Sequence, residues 1–305
     1  MPAALEISSL QKTYANGFEA LKGLDLNVQE GDFYALLGPN GAGKSTTIGI
    51  VSSLVSKSGG KVRICGIDID DDFSLAKKQI GIVPQEFNFN VFEKVEDVLI
   101  HQAGYYGIPI GLARQRAVYY LEKLGIADKQ HVQMRMLSGG MKRRLMIARA
   151  LIHEPRVLIL DEPTAGVDIE MRRSMYEFLR ETNEEGRTII LTTHYLEEAE
   201  MLCRNVAIIN HGKIVTQGSI KDLLRDLNSE TFLLDTQDAL PFGIEVPGFA
   251  LRQVEPQCLE VDLAKGQDLA QVFTALSGAG VTVVSMRNKE NRLERMFVNV
   301  LEGAS

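Results

Sequence analysis

The stretch YALLGPNGAGKSTT, Tyr34–Thr47, decides the fold of this chain. It begins with a short apolar segment that is typical of a buried strand, and it continues into the glycine-rich pattern G-x-x-x-x-G-K-S. Glycines allow successive backbone N–H groups to converge on one anion, because no Cβ stands in the way. The helix expected directly after them points its positive end at the same anion. The stretch therefore predicts a strand, a phosphate-binding loop and a helix.

The loop itself supplies most of the candidate nucleotide contacts. Consecutive residues of the loop are expected to surround the phosphates: Gly38, Pro39, Asn40, Gly41, Ala42, Gly43, Lys44, Ser45 and Thr46. Lys44 would add a full positive charge beside the β- and γ-phosphates, and Ser45 would offer its hydroxyl to Mg²⁺. The alternative is a glycine-rich turn that binds nothing. Apolar residues at helical spacing between Ile48 and Leu54 favour the phosphate-binding interpretation.

A second segment, RVLILDEPTAG at 156–166, ends an apolar run in two carboxylates. The run is too apolar for a half-exposed strand and predicts a central parallel strand. Its carboxyl end would place Asp161 beside the hydration shell of Mg²⁺ and Glu162 beside a water that attacks the γ-phosphate. The alternative is a pair of solvated acids at a strand end. The phosphate loop upstream favours the catalytic interpretation.

Composition and charge exclude several classes of protein. The chain has 305 residues, of which 45% are hydrophobic, enough for one large core and a small second one. The net charge of −7 predicts no general attraction to nucleic acid. No apolar run approaches the ~18 residues of a membrane span, and the start MPAALEISSL lacks the pattern of a signal peptide. We therefore expect a cytoplasmic protein whose membrane role would need a partner.

The cysteines and histidines give no indication of a disulfide framework or a zinc site. The three cysteines, Cys65, Cys203 and Cys258, are widely spaced and form no C-x-x-C pair. Buried or spectator thiols are therefore expected. The five histidines form no i,i+4 pair of the kind that binds metal on a helix.

Local patterns divide the rest of the chain. Residues 4–30 alternate between apolar and polar side chains around an Asn-Gly turn, which predicts antiparallel strands. Residues 86–136 have helical periodicity without a strong strand signal and predict a helical insert. Residues 229–305 show the order β-β-α-β-α, which predicts a separate small α+β domain. The first domain would then span residues 1–228.

Four apolar residues stand out in a polar, turn-like context at the start of the insert: Phe87, Phe89, Val91 and Phe92. An apolar patch of this kind near a surface is typical of a docking site. The alternative is that these side chains simply pack the insert. The sequence leaves both interpretations open.

A third segment selects a family. Leu137-Ser138-Gly139-Gly140 is followed by MKRRLMIARAL, in which Ser138 can cap a helix and the glycines expose backbone N–H groups near its start. With the phosphate loop and LILDEP, it resembles the ATP-binding cassette (ABC) family over about residues 4–220. Gln85 in VPQE, GVD at 166–168 and His194 at a strand end also fit the family pattern.

The resemblance implies an α/β fold, namely a P-loop NTPase cassette with an antiparallel β subdomain and a helical insert. It also implies roles around one ATP. Tyr14 would stack on adenine, and Gln85 would complete the Mg²⁺ shell together with Ser45. Glu162 would act as general base for water. His194 would contact the γ-phosphate and stabilise the charge that develops there.

The resemblance further implies that two copies face each other head to tail. Ser138, Gly139 and Gly140 would bind the γ-phosphate of the ATP that the other copy holds, and Asp168 would lie at the contact between the copies. Closure would exclude water, and hydrolysis would let the halves part. Met141, beside the expected contact with the other copy, stands where the family more usually has Gln.

Within the family, the chain is similar to the separate ATPase subunits of bacterial exporters with a six-helix permease. This resemblance implies ATP hydrolysis that drives export, a peripheral location on the inner face of the cell membrane, a membrane permease as partner and no nucleic acid partner. Two alternatives are a soluble ABC-type ATPase in a non-transport role and a regulatory nucleotide-binding module. A single cassette argues against the first, and intact Glu162 and His194 argue against the second.

Residues 229–305 would form a ligand-binding or dimer-stabilising domain, or a docking appendage.

Overall fold

The structure, a computed structural model, describes residues 2–164, 168–225, 229–240, 245–264, 266–289 and 291–303. It divides the chain into two compact units, residues 1–218 and 219–305. The first unit contains the elements of the expected cassette except the short helix Ile220–Arg225, which falls in the second unit. The boundary expected at residue 228 falls on residues 226–228, which lie outside the described residues.

The first unit contains a set of strands and a set of helices. The strands are β1 (Ala3–Thr13), β2 (Glu19–Gln29), β3 (Phe33–Leu37), β4 (Gly59–Ile64), β5 (Ile67–Asp68), β6 (Ile80–Val83), β7 (Val157–Asp161), β8 (Thr188–Thr193), β9 (Asn205–Asn210) and β10 (Lys213–Ser219), whose last residue begins the second unit. The helices are α1 (Lys44–Val51), α2 (Phe73–Lys78), α3 (Val95–Tyr105), α4 (Ile110–Lys123), α5 (Gly139–Leu151), α6 (Ile169–Glu184) and α7 (Leu196–Leu202). Short 3-10 turns lie at Ala127–Lys129 and Met134–Met136.

The strand β3 lies inside a six-stranded sheet of order β10-β9-β3-β8-β7-β6. It is buried along its whole length and pairs in parallel with β8 and β9. Parallel strands that are covered on both faces need continuous apolar runs, which explains the sequences of β3 and β7. The register joins Leu37 to Thr193 and Asp161 to Thr192. The carboxyl ends of β3, β7 and β8 therefore meet at one edge of the sheet.

A second, antiparallel sheet of order β2-β1-β4-β5 packs on the first. Its side chains and those of the six-stranded sheet share one hydrophobic core, in which Leu5, Leu21, Leu36, Ile50 and Ile159 are at most 2% exposed. Each such side chain contributes about 1.5–3 kcal/mol relative to exposure. This core holds β3 and α1 on either side of the phosphate loop. The predicted α/β cassette with an antiparallel subdomain is confirmed.

The expected insert, residues 86–136, contains α3, α4 and the two 3-10 turns. The helix α3 begins at Val95, where the apolar periodicity begins in the sequence. The helix α5, which starts directly after Ser138, packs against both α3 and α4. The residues that precede α5 are therefore attached to the helical part of the unit.

The second unit contains α8 (Ile220–Arg225), β11 (Ser229–Thr236), β12 (Ala250–Glu255), β13 (Cys258–Ala264), α9 (Leu269–Gly278), β14 (Val283–Asn288) and α10 (Arg292–Gly303). Its antiparallel sheet has the order β12-β13-β11-β14. The predicted order β-β-α-β-α omits β12. This strand lies at the edge of the sheet and is largely exposed, so its sequence carries no apolar alternation. The unit begins earlier than expected because α8 packs against α10.

Candidate nucleotide-binding site

The phosphate loop occupies the turn between β3 and α1. The helix begins at Lys44, and its N-cap residue Gly43 has φ +117°, a conformation that favours glycine. A Cβ at Gly43 would lie 2.8 Å from Cδ2 of Leu21, and one at Gly38 would lie 2.8 Å from Cγ2 of Ile209. The loop is therefore packed so closely between β2 and β9 that both positions require glycine.

Lys44 is the buried cation of this loop, with 6% of its surface exposed. Its Nζ donates to the carbonyl oxygens of Gly38 at 2.6 Å and Pro39 at 3.1 Å. Burial lowers the pKa of Lys44, and the carboxylates of Glu162 and Asp161 oppose that shift. The ammonium group is therefore held by the loop and linked electrostatically to both acids at the end of β7.

A cavity of about 610 Å³ opens in front of the loop. Its lining consists of Phe18, Ala20, Asn40, Gly41, Gly43, Lys44, Ser45, Thr46, Gln85, Glu162 and His194. Pockets for ligands of nucleotide size span about 300–1,000 Å³, so the volume fits. Loop residues and three side chains predicted from separate segments thus share one cavity, whereas its lining does not include Gly38, Pro39, Ala42 or Asp161.

The turn before β2 carries two aromatic residues beside the cavity. Tyr14, predicted to stack on adenine, is 37% exposed, and its hydroxyl lies 3.3 Å from Oγ1 of Thr46. Phe18 is 56% exposed and lines the cavity, which Tyr14 does not. The N–H of Tyr14 donates to the carbonyl of Phe18 at 2.9 Å, so one turn holds both rings. Sequence reasoning missed Phe18, although an aromatic residue next to an Asn-Gly turn is a detectable signal.

The two acids at the end of β7 differ in their surroundings. Asp161 accepts a hydrogen bond from the Thr192 hydroxyl, which belongs to the neighbouring strand β8. Glu162 has φ +47°, a left-handed conformation that is uncommon outside glycine, and its N–H donates to the carbonyl of Thr192 at 3.0 Å. Both residues are therefore fixed to β8, and the turn at Glu162 directs the chain away from the sheet.

The Glu162 side chain contacts two other predicted site residues, Gln85 and His194. Its Oε2 accepts from Nε2 of Gln85 at 2.9 Å, and its Oε1 lies 3.2 Å from Nδ1 of His194. The Glu162 side chain is 12% exposed, whereas that of His194 is 46% exposed. One carboxylate thus joins residues from the ends of three neighbouring strands, and it remains accessible from the cavity.

A buried carboxylate on α7 fixes the strand end that carries His194. Glu198 is 2% exposed. It accepts from the hydroxyls of Thr193 at 2.8 Å and Tyr176 at 2.9 Å, and also from that of Thr164. Sequence reasoning missed this network because its members come from four separate segments. It ties the residue before His194 to α6 and to the segment that follows Glu162.

The residues at the start of α5 lie outside this cavity. Ser138 caps the helix and accepts from the N–H of Met141 at 3.3 Å, and both Ser138 and Gly139 are exposed. A Cβ at Gly140 would collide with the side chain of Met171 on α6. None of these residues lines the cavity within the described part of one chain. The exposed start of α5 therefore lies apart from the cavity within the described part of one chain.

Asp168 caps the neighbouring helix α6 and accepts from the N–H of Met171 at 2.9 Å. Gly166 and Val167 of the predicted GVD segment lie outside the described residues. Asp168 is exposed, as is the next residue, Ile169, at 84%. The start of α6 is therefore solvent-exposed within one chain.

The apolar patch that follows Gln85 keeps three exposed members, Phe87, Val91 and Phe92, at 46%, 45% and 65%. A guanidinium group lies over each of its rings: Arg143 over Phe87 at 5.1 Å, Arg149 over Phe89 at 4.7 Å and Arg135 over Phe92 at 5.8 Å. Cation–π contacts of this kind contribute about 0.5–1 kcal/mol each at exposed sites. The patch is therefore held in place without being covered.

Comparison with known proteins identifies relatives of this chain. The model of the ABC transporter family matches residues 21–165. The linearmycin resistance ATP-binding protein of Bacillus subtilis is 34% identical over 97% of both chains. The daunorubicin/doxorubicin resistance ATP-binding protein of Streptomyces peucetius is 36% identical over 97% of this chain and 91% of its own. The Nod factor export ATP-binding protein I of Cupriavidus pinatubonensis is 38% identical over 73% of this chain and 69% of its own.

Solved structures are similar to this chain as well. An ATP-binding subunit of an ABC transporter has 29% identity and a TM-score of 0.67, covering 73% of this chain and 92% of its own. The dimeric bacterial ABC transporter cassette MJ0796 has 28% identity and a TM-score of 0.65, covering 71% of this chain and 98% of its own. Among the described residues, no helix combines the length and apolarity that crossing a membrane requires. The predicted family is confirmed: this chain belongs to the ABC transporter family, as an ATP-hydrolysing subunit.

Proposed function

We propose that two copies of this ATPase enclose ATP head to tail and drive export through a membrane permease. The observation that carries the proposal is the division of the predicted site within one chain. The loop, Gln85, Glu162 and His194 share one cavity, while the start of α5 at Ser138 is exposed and outside it. A second copy would supply the missing side through its own Ser138, Gly139 and Gly140, next to Asp168.

Glu162 would be the general base of hydrolysis. It would take a proton from water as the water oxygen bonds to the γ-phosphorus and the bond to the β-phosphate oxygen breaks, which yields ADP and phosphate. Lys44 would balance the charge on the phosphates. His194, in contact with Glu162, would donate a hydrogen bond to the γ-phosphate oxygens. Closure by the second copy would exclude other water from the cavity.

The donor chemistry of the cavity fits Mg²⁺. Mg²⁺ prefers oxygen ligands and is usually held by one or two protein groups plus phosphate oxygens and water. The exposed hydroxyl of Ser45 and the amide oxygen of Gln85 would be direct ligands, and Asp161 would hold the hydration shell. In the described part of the chain, no group of three or more His, Cys, Asp or Glu side chains could hold a metal alone. When bound, Mg²⁺ would neutralise charge that develops on the phosphates.

Export as the direction of transport is supported by the names of the relatives, which concern drug resistance and Nod factor export. The partner would be an integral membrane permease, contacted through the exposed patch between Phe87 and Phe92. The chain would then lie on the inner face of the cell membrane. Its net charge of −7 supports a protein partner rather than nucleic acid.

The variant Glu162→Gln tests the proposed pairing. It keeps the shape of the side chain but removes the base, so we expect ATP binding without turnover and a stable pair in size-exclusion chromatography with ATP. Lys44→Ala in the same background serves as the control, because it lacks the phosphate charge partner and is expected to stay unpaired. Normal hydrolysis by Glu162→Gln would contradict the assigned base. Failure to pair at saturating ATP would contradict the shared site.

A further inference from the structure

Arg143 connects the helix that begins after Ser138 to the segment that carries Gln85. It lies on the second turn of α5 and is 4% exposed. Its Nη1 donates to the carbonyl oxygen of Pro84 and its Nη2 to that of Gln85, both at 2.8 Å. The strand ladder of β6 ends at Val83, so these two carbonyls lie beyond the sheet. One guanidinium group thus binds two successive peptide groups in a fixed geometry.

Stability alone is a poor explanation for a guanidinium group in this place. A buried charge is costly unless it is paired and fully hydrogen-bonded. The Nε of Arg143 has no hydrogen-bond partner within the described residues. Burial lowers the pKa of Arg143, and Asp161 only partly opposes this shift. The ring of Phe87, 5.1 Å away, adds a cation–π contact.

The position of Gln85 decides the geometry at the proposed base. Its side chain donates to Oε2 of Glu162 at 2.9 Å, and Glu162 in turn contacts His194. Arg143 holds the backbone from which the Gln85 side chain extends. A displacement of α5 would therefore move the carbonyl of Gln85 and, with it, the amide that contacts Glu162.

We propose that Arg143 is a positioning residue that couples the two ATP sites of the pair. In one copy, the start of α5 would bind the ATP held by the other copy, and Arg143 would transmit the position of that helix to Gln85 and Glu162 of its own site. Each site would then hydrolyse ATP efficiently only when the other is occupied. The inference rests on the proposed head-to-tail pair.

The test compares Arg143→Met, Arg143→Lys and the control Arg116→Met. Arg116 lies on α4 and donates to the carbonyl of Ile152, at the other end of α5, without touching Gln85. Hydrolysis rates over a range of ATP concentrations give kcat, KM and the Hill coefficient. Calorimetry with ATP in the Glu162→Gln background gives the affinity, and thermal unfolding shows whether each variant folds.

We expect Arg143→Met to lower kcat by about tenfold, which corresponds to about 1.4 kcal/mol of lost transition-state stabilisation. Its ATP affinity should stay within about twofold of the parent, and its Hill coefficient should fall towards 1. Arg143→Lys should be intermediate, because one ammonium group cannot replace the bidentate contact. Arg116→Met should keep the parent kcat and Hill coefficient.

A double variant separates positioning from general support of the fold. If Arg143 acts through Gln85, Gln85→Ala with Arg143→Met should be no slower than Gln85→Ala alone, within about twofold. Independent, multiplied effects would overturn the inference, as would a parent-like Hill coefficient in folded Arg143→Met. If Arg143→Met does not fold, Arg143→Lys decides by the same two criteria. If Glu162→Gln fails to pair at saturating ATP, the proposed function itself is wrong. If Glu162→Gln pairs normally but the Arg143 variants keep the parent kinetics, only the role of Arg143 is wrong.

Discussion

At Gly43 the backbone conformation and the lack of space both require the absence of a Cβ. We expect Gly43→Ala to lower the free energy of unfolding by about 1–3 kcal/mol, because φ of +117° strains any other residue. The new Cβ would also press on Leu21 and displace the loop. ATP affinity should therefore fall as well. Urea denaturation and calorimetry measure the two effects.

Gly104, inside α3, provides the matched control. It has no positive φ, and a Cβ added there meets nothing within 4 Å. Because alanine favours helices over glycine, Gly104→Ala should raise stability by up to about 1 kcal/mol. Equal destabilisation by both substitutions would contradict the special role of the loop glycine.

The adenine contact is a second prediction for single residues. We expect Tyr14→Ala to weaken ATP binding by several-fold or more, since stacking of a base on an aromatic ring contributes about 1–3 kcal/mol. Tyr14→Phe should bind ATP nearly as well as the parent, because the ring remains. Competition with inorganic triphosphate shows whether the loss concerns the base. If Phe18→Ala loses this affinity and Tyr14→Ala does not, adenine stacks on Phe18, which lines the cavity.

Among the elements, the segment directly after α5 contains a histidine whose protonation opposes folding. His153 follows α5, stacks on Tyr106 with ring centroids 3.7 Å apart, and contacts the carbonyl of Ile80 at 2.9 Å. Burial lowers the pKa of His153 to about 4; the contact with Ile80 opposes this shift and Arg116 adds to it. The folded chain therefore keeps this imidazole neutral at pH values where the unfolded chain protonates it.

The pH dependence follows from that difference. The unfolded chain binds more protons between pH 6.5 and about 4, so the stability from neutral His153 is complete above 6.5 and is lost as the pH falls towards 4. The loss is at most about 3 kcal/mol, at 1.36 kcal/mol for each pKa unit. Urea denaturation of the parent and His153→Gln over this range measures it. A parallel pH dependence of the two proteins would contradict the assignment.

The sequence predicted elements unequally well. The buried strands β3, β7 and β8 are continuous apolar runs, so their positions follow from the sequence. The edge strand β12 has largely exposed side chains, and only its pairing with β13 makes it a strand. The short helix α8 is recognisable by its pattern, but its contact with α10 assigns it to the second unit.

On the scale of the whole molecule, the cavity-lining residues all belong to the first unit. We therefore expect a chain that ends at Gly218 to bind ATP within about twofold of the full chain's affinity, because it keeps every described residue that lines the cavity. Calorimetry on both chains measures this. A tenfold loss in a folded truncated chain would contradict the assignment of the whole site to the first unit.

The same truncation distinguishes the roles predicted for residues 229–305. In the Glu162→Gln background, a truncated chain that binds ATP but no longer pairs would support a dimer-stabilising domain. Unchanged pairing would favour the docking appendage or the ligand-binding domain. The second unit has its own hydrophobic core around Leu234, Val261 and Leu276. The ATP-site residues of the first unit therefore give no information about the role of the second unit.

The sequence by itself determined the phosphate loop, the acids at the end of β7, the helix start at Ser138 and the family, because each depends on residues that are adjacent in the chain. Only the tertiary structure decided that Gln85 and His194 contact Glu162 and that Phe18 lines the cavity. It also decided that Arg143 binds the carbonyl oxygens of Pro84 and Gln85. These contacts join segments far apart in sequence. No local pattern encodes them, since they arise only when the strands pair side by side and the helices pack on the sheet.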